Sequence, residues 1–382
     1  MRLKDCHSFH DFRELARRRL PGPIFGYIDG AADDEITHRR NSASFDDCDL
    51  VPNVLRGVAG IDLSVTVMGQ RLALPVYCSP TALQRLFHHQ GEHAVGAAAA
   101  KHGTMFGVSS LGTVSLEEVR ARYPTPQAYQ FYFHKDRGLN RAMLERAKAA
   151  GVEVLMLTVD TITGGNRERD LRSGFKMPLE LGARALLAFA ARPRWAWDYL
   201  THKRFELPQL DPHVPMRGGA ISVGRYFSEM LDPAMDWRDV EEMVRFWDGQ
   251  FCLKGVMSVR DAKRAVEIGC TGIILSNHGG RQLDGSRSAF DQLAEVVDAV
   301  GDRIDVMMDG GIQRGSHVLK ALALGAKAVG IGRYYLFPLA AAGQPGVERA
   351  LGLMRAELER DMKLMGCTSI GQLTREHRRF RR

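Results

Sequence analysis

The 382-residue chain has no paired cysteine motif, no low-complexity tract and no long apolar run. Its longest apolar stretch of note, Ala185 to Ala191, is stopped by Arg184 and Arg192, far short of the ~20 residues that cross a bilayer. Any membrane contact is therefore expected to be peripheral. The first twenty residues hold no apolar core for a secretory signal, so a reducing cytoplasm is the expected compartment. Six scattered cysteines (Cys6, Cys48, Cys78, Cys252, Cys270 and Cys367) include no C-x-x-C pair, which argues for reduced core thiols over a disulfide framework or a zinc site. No metal is expected. No G-x-G-x-x-G follows the first apolar run, so a dinucleotide fingerprint has nothing to rest on.

What is present is globular: 45% hydrophobic, 25% charged and 8% aromatic residues, which excludes disorder. Lys and Arg outnumber Asp and Glu by 52 to 45, a formal charge of +7 that favours acidic substrates, phosphates or an anionic membrane surface. Charge alone would also admit nucleic acid. Short apolar runs alternate with helical stretches: Leu74–Cys78, Met105–Val108, Gln127–Phe131, Val154–Val159, Phe251–Lys254, Gly272–Ser276, Asp305–Met308 and Ala328–Ile331. The rhythm predicts an α/β fold, a (β/α)8 TIM barrel spanning residues 1–382 as one domain, with an N-terminal helical segment and a long insertion after strand 4, about residues 174–250.

Polar residues follow these strands directly, where a barrel gathers them at one mouth. Ser276-Asn277-His278-Gly279-Gly280-Arg281 supplies an imidazole that titrates near neutrality and a guanidinium that grips carboxylates, a pair suited to an acid whose α-carbon loses a proton and two electrons. The plainer alternative is a structural turn. Asp160 ends the fourth strand, either to orient His278 across the mouth or to cap a helix. Arg167 is placed to assist the substrate, whereas Arg169 and Asp170 read as structural ion pairs. Lys254 follows apolar Phe251, Cys252 and Leu253, and a cation there would stabilise negative charge on a reduced cofactor ring. Asp309-Gly310-Gly311 and Gly332-Arg333 follow the last two strands, where barrels bind phosphate.

The sequence resembles the FMN-dependent α-hydroxy acid dehydrogenase and oxidase family, which includes glycolate oxidase, mandelate dehydrogenase and respiratory L-lactate dehydrogenase. The likeness runs from about Phe9 to Leu373. It is carried by Ser276-Asn-His-Gly-Gly-Arg-Gln-Leu-Asp284, with Gly26-Tyr-Ile-Asp-Gly30, Pro80-Thr-Ala82, Gln130-Phe-Tyr132, Leu157-Thr-Val-Asp160 and Lys254-Gly255. The resemblance implies that Tyr27 and Arg281 hold the substrate carboxylate, Tyr132 meets the hydroxyl, and His278 is the base with Asp160 behind it. Two routes stay open: His278 takes the hydroxyl proton while hydride moves to the flavin, or it takes the α-proton and leaves a carbanion. FMN would be held by Pro80, Thr81, Ala82, Ser109, Gln130, Thr158, Lys254, Ser276, Asp309, Gly310, Gly311, Gln313, Gly332 and Arg333.

Three positions depart from the family pattern. Gln313 stands where arginine is usual, which weakens one phosphate contact or passes it to Arg314; Leu111 replaces the tryptophan of glycolate oxidase and reshapes the pocket; Ile162 replaces a proline, with no functional account. Residues 185–204 mix Phe189, Trp195 and Trp197 with basic side chains, as an interfacial segment does, or as a loop packed on the barrel or a neighbouring subunit does. The likeness of Pro193-Arg-Trp-Ala-Trp-Asp198 to respiratory members favours attachment to the inner face of the cytoplasmic membrane. The expectation is therefore oxidation of a lactate-like L-2-hydroxy acid with electrons passed to a quinone, in a homotetramer with no nucleic-acid partner. The alternatives are a soluble oxidase that forms hydrogen peroxide from oxygen and a non-enzymatic basic binding module.

Overall fold

A computed structural model describes residues 1–173, 188–202, 206–210 and 229–381. Eight parallel strands close a barrel: β1 Val76–Cys78, β2 Phe106–Ser109, β3 Gln127–Phe131, β4 Val154–Thr158, β5 Gln250–Val256, β6 Gly272–Leu275, β7 Asp305–Asp309 and β8 Val329–Ile331. Each expected strand forms within two residues of its expected ends. Almost every strand residue is buried, because the barrel interior covers one face and the helical ring the other. Between strands the chain turns into helices where the periodicity places them, as in Glu92–His102, Arg137–Ala149 and Gly315–Ala323.

The N-terminal segment forms three helices: α1 Phe9–Arg19, α2 Gly22–Asp29 and α3 Ile36–Ala43. Ser8 caps α1 by accepting the Asp11 N–H, and Phe9, Phe12 and Ala16 form its buried stripe. Asp29 anchors α2: it accepts from Arg13 at 2.5 and 2.8 Å and from Arg169 at 3.0 Å. Arg169 also pairs with Glu35, which makes it the structural ion-pair residue expected of it. Asp170 has no ion pair among the described residues, and burial pushes its carboxyl up.

Of the expected insertion, residues 174–187, 203–205 and 211–228 lie outside the described residues, including both ends of the 185–204 segment. Its far end contains a regular outer helix, Trp237–Trp247, started by an Asp236–Asp239 capping box and burying Val240, Met243 and Trp247. The helix Pro193–Thr201 corrects one expectation. Trp195 is only 4% exposed, donates its indole N–H to the Leu86 carbonyl at 2.9 Å, and stacks between Phe189 and Tyr199. Trp195 and Phe189 are therefore core residues, not lipid anchors. Helical geometry puts Trp195 and Tyr199 on one face and Trp197 and Leu200 on another, and the latter are 69% and 79% exposed.

Candidate active site

At the carboxyl ends of the strands lies a cavity of about 180 Å³. Its wall brings together Tyr27, Pro80, Thr81, Ala82, Ser109, Leu111, Gln130, Tyr132, Thr158, Arg167, Lys254, His278, Arg281, Asp309, Gly310, Gly311, Gln313, Gly332 and Arg333. Of the residues expected in the site, Asp160 and Ser276 stand one layer behind the wall.

His278 owes its aim to a strained backbone. Its φ is +57°, a left-handed conformation that costs a side chain roughly 1–2 kcal/mol. The turn is held from several sides: Asn277 accepts the Gly280 N–H at 3.1 Å and exchanges two amide hydrogen bonds with Asn41 of α3 at 2.7 and 2.8 Å. Asp284 accepts the N–H groups of Ile36 and Thr37, so the last residue of the motif caps α3. Gly280 must be glycine, because a Cβ there would lie 2.6 Å from the His38 backbone nitrogen.

Nδ1 of His278 lies 3.0 Å from Asp160 Oδ1, and Thr161 donates to the same oxygen at 2.9 Å. A carboxylate only accepts, so Nδ1 is the donor in this pair, and in the neutral ring the lone pair falls on Nε2. Burial pushes the Asp160 carboxyl up, but His278 beside it, with Lys254 and Thr161, outweighs burial and holds it below the ordinary carboxylate value. The pairing needs room: Gly255, at φ +110°, would place a Cβ 2.6 Å from that of Asp160. A register shift between Lys254 and Val256 marks the same point in β5.

Lys254 is buried, with Nζ 2.9 Å from Asp309 Oδ2 and 3.0 Å from Ser276 Oγ. Burial lowers its pKa, yet the charges of Asp309 and Asp160 raise it further, so it stays a cation. Ser276 also donates to Asp309 at 2.6 Å and accepts the His278 N–H, which explains its place behind the wall: its hydroxyl braces Lys254 and Asp309. Across β2 to β4 Ser109 donates to Gln130, which donates to Thr158, each at 2.9 Å, and Thr158 is the strand neighbour of Lys254.

Three arginines converge without a carboxylate within ion-pair distance among the described residues. Arg281 uses Nη1 on the Tyr27 and Gly30 carbonyls and lies 4.7 Å over the Tyr27 ring. Arg333 donates to the carbonyls of Ile28, Gly279 and Gly30. Burial, then the neighbouring cations, push Arg281 down to about 10 and Arg333 down to about 9. Arg167 keeps a buried Nε without a partner. Buried cations in this state call for an anion. Arg314 does not answer for the substitution at Gln313: it is the N-cap of Gly315–Ala323, outside the cavity, and pairs with Glu357 at 3.0 Å. Tyr132 is buried, which pushes its hydroxyl up, and it remains protonated.

Nothing in the sequence singled out His38, Ser42 or Phe87, which also line the cavity. His38 and Ser42 come from α3, whose hydrophobic pattern gives no hint that it lies on the mouth. Phe87 follows β1 and stacks on Tyr27 with ring centroids 6.3 Å apart.

The family described as FMN-dependent dehydrogenase matches residues 16–379. The chain belongs to this family. It is 39% identical over 370 residues to an L-lactate dehydrogenase of Alcaligenes faecalis, covering 97% of both chains, and 41% identical to an L-lactate oxidase of Nostoc sp., covering 95% of both. Among solved structures it superposes on the monotopic membrane protein (S)-mandelate dehydrogenase with a TM-score of 0.93 at 32% identity, covering 98% of this chain and all of the other. The protein is thus an FMN-dependent oxidoreductase on a TIM barrel. The residues present fit the cofactor: uncompensated Arg333 suits a phosphate, and the helix Arg333–Ala342 starts at Gly332 with no side chain capping its first N–H groups. The Ser109–Gln130–Thr158 chain and the Lys254 ammonium offer polar partners for a heteroaromatic ring.

Proposed function

We propose that the protein oxidises a lactate-class L-2-hydroxy acid to the 2-oxo acid and passes the electrons to a membrane quinone. The observation that carries this reading is the Asp160–His278 pair at a cavity that Arg281 and Arg167 also line. Bound FMN supplies the two-electron acceptor, held by the fourteen residues expected to contact it, with Ser276 contributing through Lys254 and Asp309. Arg281, with Tyr27 and Arg167, binds the substrate carboxylate and so fixes the α-carbon. Tyr132 donates to the substrate oxygen. His278 Nε2 takes one proton, and the Asp160 carboxylate stabilises the imidazolium that results. Leu111 and Phe87 form an apolar wall beside the α-substituent and exclude water.

The mandelate dehydrogenase likeness and the exposed Trp197 and Leu200 support peripheral attachment to the inner face of the cytoplasmic membrane; among the described residues no helix is long and apolar enough to cross a membrane. A homotetramer is the assembly we assign, to be checked by light scattering. Anaerobic addition of L-lactate, glycolate or mandelate should bleach the flavin, followed by reoxidation with a quinone analogue. A flavin that no 2-hydroxy acid bleaches would refute the substrate class. The oxidase reading is favoured by the Nostoc relative's name, and rapid oxygen uptake without added acceptor would establish it instead.

A further inference from the structure

Away from the cavity, the turn after β1 and the insertion helix Pro193–Thr201 bring two histidines and a carboxylate together. His88 and His89 follow the short turn Gln84–Phe87, and Asp198 projects from the helix; one ligand atom of each lies within 4.8 Å of the others. His202, just past the helix, stacks on His89 with centroids 3.8 Å apart.

Ordinary contacts leave this cluster unexplained. Nδ1 of His89 is buried with no hydrogen-bond partner, and at 3.9 Å from Asp198 Oδ2 it is too far to form one. Charge pairing does not account for it either, since Arg19 already pairs with Asp198 at 2.5 Å. The His88 and His89 rings lie side by side, with centroids 4.4 Å apart. Two imidazoles with a carboxylate are the donor set of a borderline divalent cation, whereas magnesium and calcium favour oxygen alone.

We propose that His88, His89 and Asp198 form a binding site for a divalent cation of the Zn2+ class, bridging the loop after β1 to the insertion helix. A tetrahedral ion sits about 2.0–2.1 Å from each nitrogen, so the partly exposed His89 and Asp198 must close in by rotation. The fourth position falls to water or to His202. Binding costs the long 3.3 Å contact from the Gln90 N–H to His88 Nδ1 if that nitrogen ligates, and the Arg19 cation lowers the affinity. The ion would reinforce a joint already made by the Trp195 N–H on the Leu86 carbonyl, next to the cavity residue Phe87.

The test uses untagged, FMN-loaded protein dialysed with Zn2+, with metal and flavin measured per chain and Co2+ substituted for its visible absorption. One Zn2+ per chain, a tetrahedral Co2+ band, retention in His10→Gln, and loss in both His89→Gln and Asp198→Asn at unchanged flavin content are expected. Zn2+ that survives both substitutions, or an unmodified chain that retains no Zn2+ and gives no Co2+ band, overturns the proposal. Should the variants lose flavin, the Co2+ spectrum of the unmodified chain decides alone.

Discussion

Replacing Asp160 by Asn removes one charge and almost no volume. At 3.0 Å from Nδ1 of His278, in a buried setting, the lost interaction is a hydrogen bond to a charged group, worth about 1.5–3 kcal/mol. That stabilisation acts fully only once His278 carries a second proton, so it belongs to the transition state rather than to bound substrate. At 1.36 kcal/mol per decade, the rate of anaerobic flavin reduction should fall about 10- to 150-fold. KM should stay within about twofold, because Asp160 does not line the cavity. Stopped-flow bleaching at saturating substrate, normalised to flavin content, measures both. A rate within threefold of the unmodified enzyme, or a loss confined to KM, would remove Asp160 from the base's support and leave it a structural residue.

The insertion helix should split into two behaviours. Trp197→Ser with Leu200→Ser should release the protein from anionic vesicles without lowering its melting temperature, whereas Trp195→Ala should cost about 3–5 kcal/mol in denaturant unfolding, as for a large buried ring. Equal effects on vesicle sedimentation would contradict the two faces. Gly255→Ala should slow flavin reduction while flavin stays bound, since its Cβ would strike Asp160; an unaffected rate would show that β5 relaxes freely. Burial raises Asp29, but its bond to Arg13 and the nearby charges of Arg13, Arg169 and Arg333 win and depress its pKa. Its stabilisation is therefore present above the unfolded value near 3.9 and lost as pH falls through the lower folded value. Asp29→Asn should cost about 2 kcal/mol at pH 7, discounted for the half-exposed arginines, and should flatten the acid limb of stability below about pH 4. A variant that keeps the full acid dependence would exclude Asp29 as its source.

The barrel was readable because its strands are buried on both faces, so each appears as an unbroken apolar run between turn signals, and polar residues at their ends stand out. His278, Arg281, Lys254 and Asp309 were found in that way. What stayed hidden depends on contacts far apart in sequence. Asn41 shows its purpose only when α3 lies against Asn277, 236 positions later. Trp195 and Trp197 are two residues apart in one aromatic-basic stretch, and composition treats them alike; the helix phase alone buries one and exposes the other. Arg314 looked able to replace a missing arginine, but capping a helix turned it toward Glu357. Ser276 sits inside the motif yet behind the wall, because its hydroxyl is used up by Lys254, Asp309 and the His278 backbone.

The charge of the mouth connects fold to chemistry. A carboxylate beside each arginine would have neutralised its charge, as Asp29 does for Arg13 and Arg169. At Arg281 and Arg333 backbone carbonyls stand there instead, and carbonyl dipoles hold a guanidinium in place without cancelling its charge. Burial, then the neighbouring cations, push both guanidinium groups down, as befits cations with no carboxylate facing them. A phosphate and a substrate carboxylate would each neutralise part of that charge, so binding energy is stored in the fold as unneutralised charge. Lys254, by contrast, is already balanced by Asp309, and its cation is held in position rather than left in need. The site thus separates cations left open to an anion from the one that Asp309 already balances. On this logic, phosphate should weaken FMN rebinding to the apoprotein competitively, and Arg333→Met should abolish that competition while Lys254→Met should not.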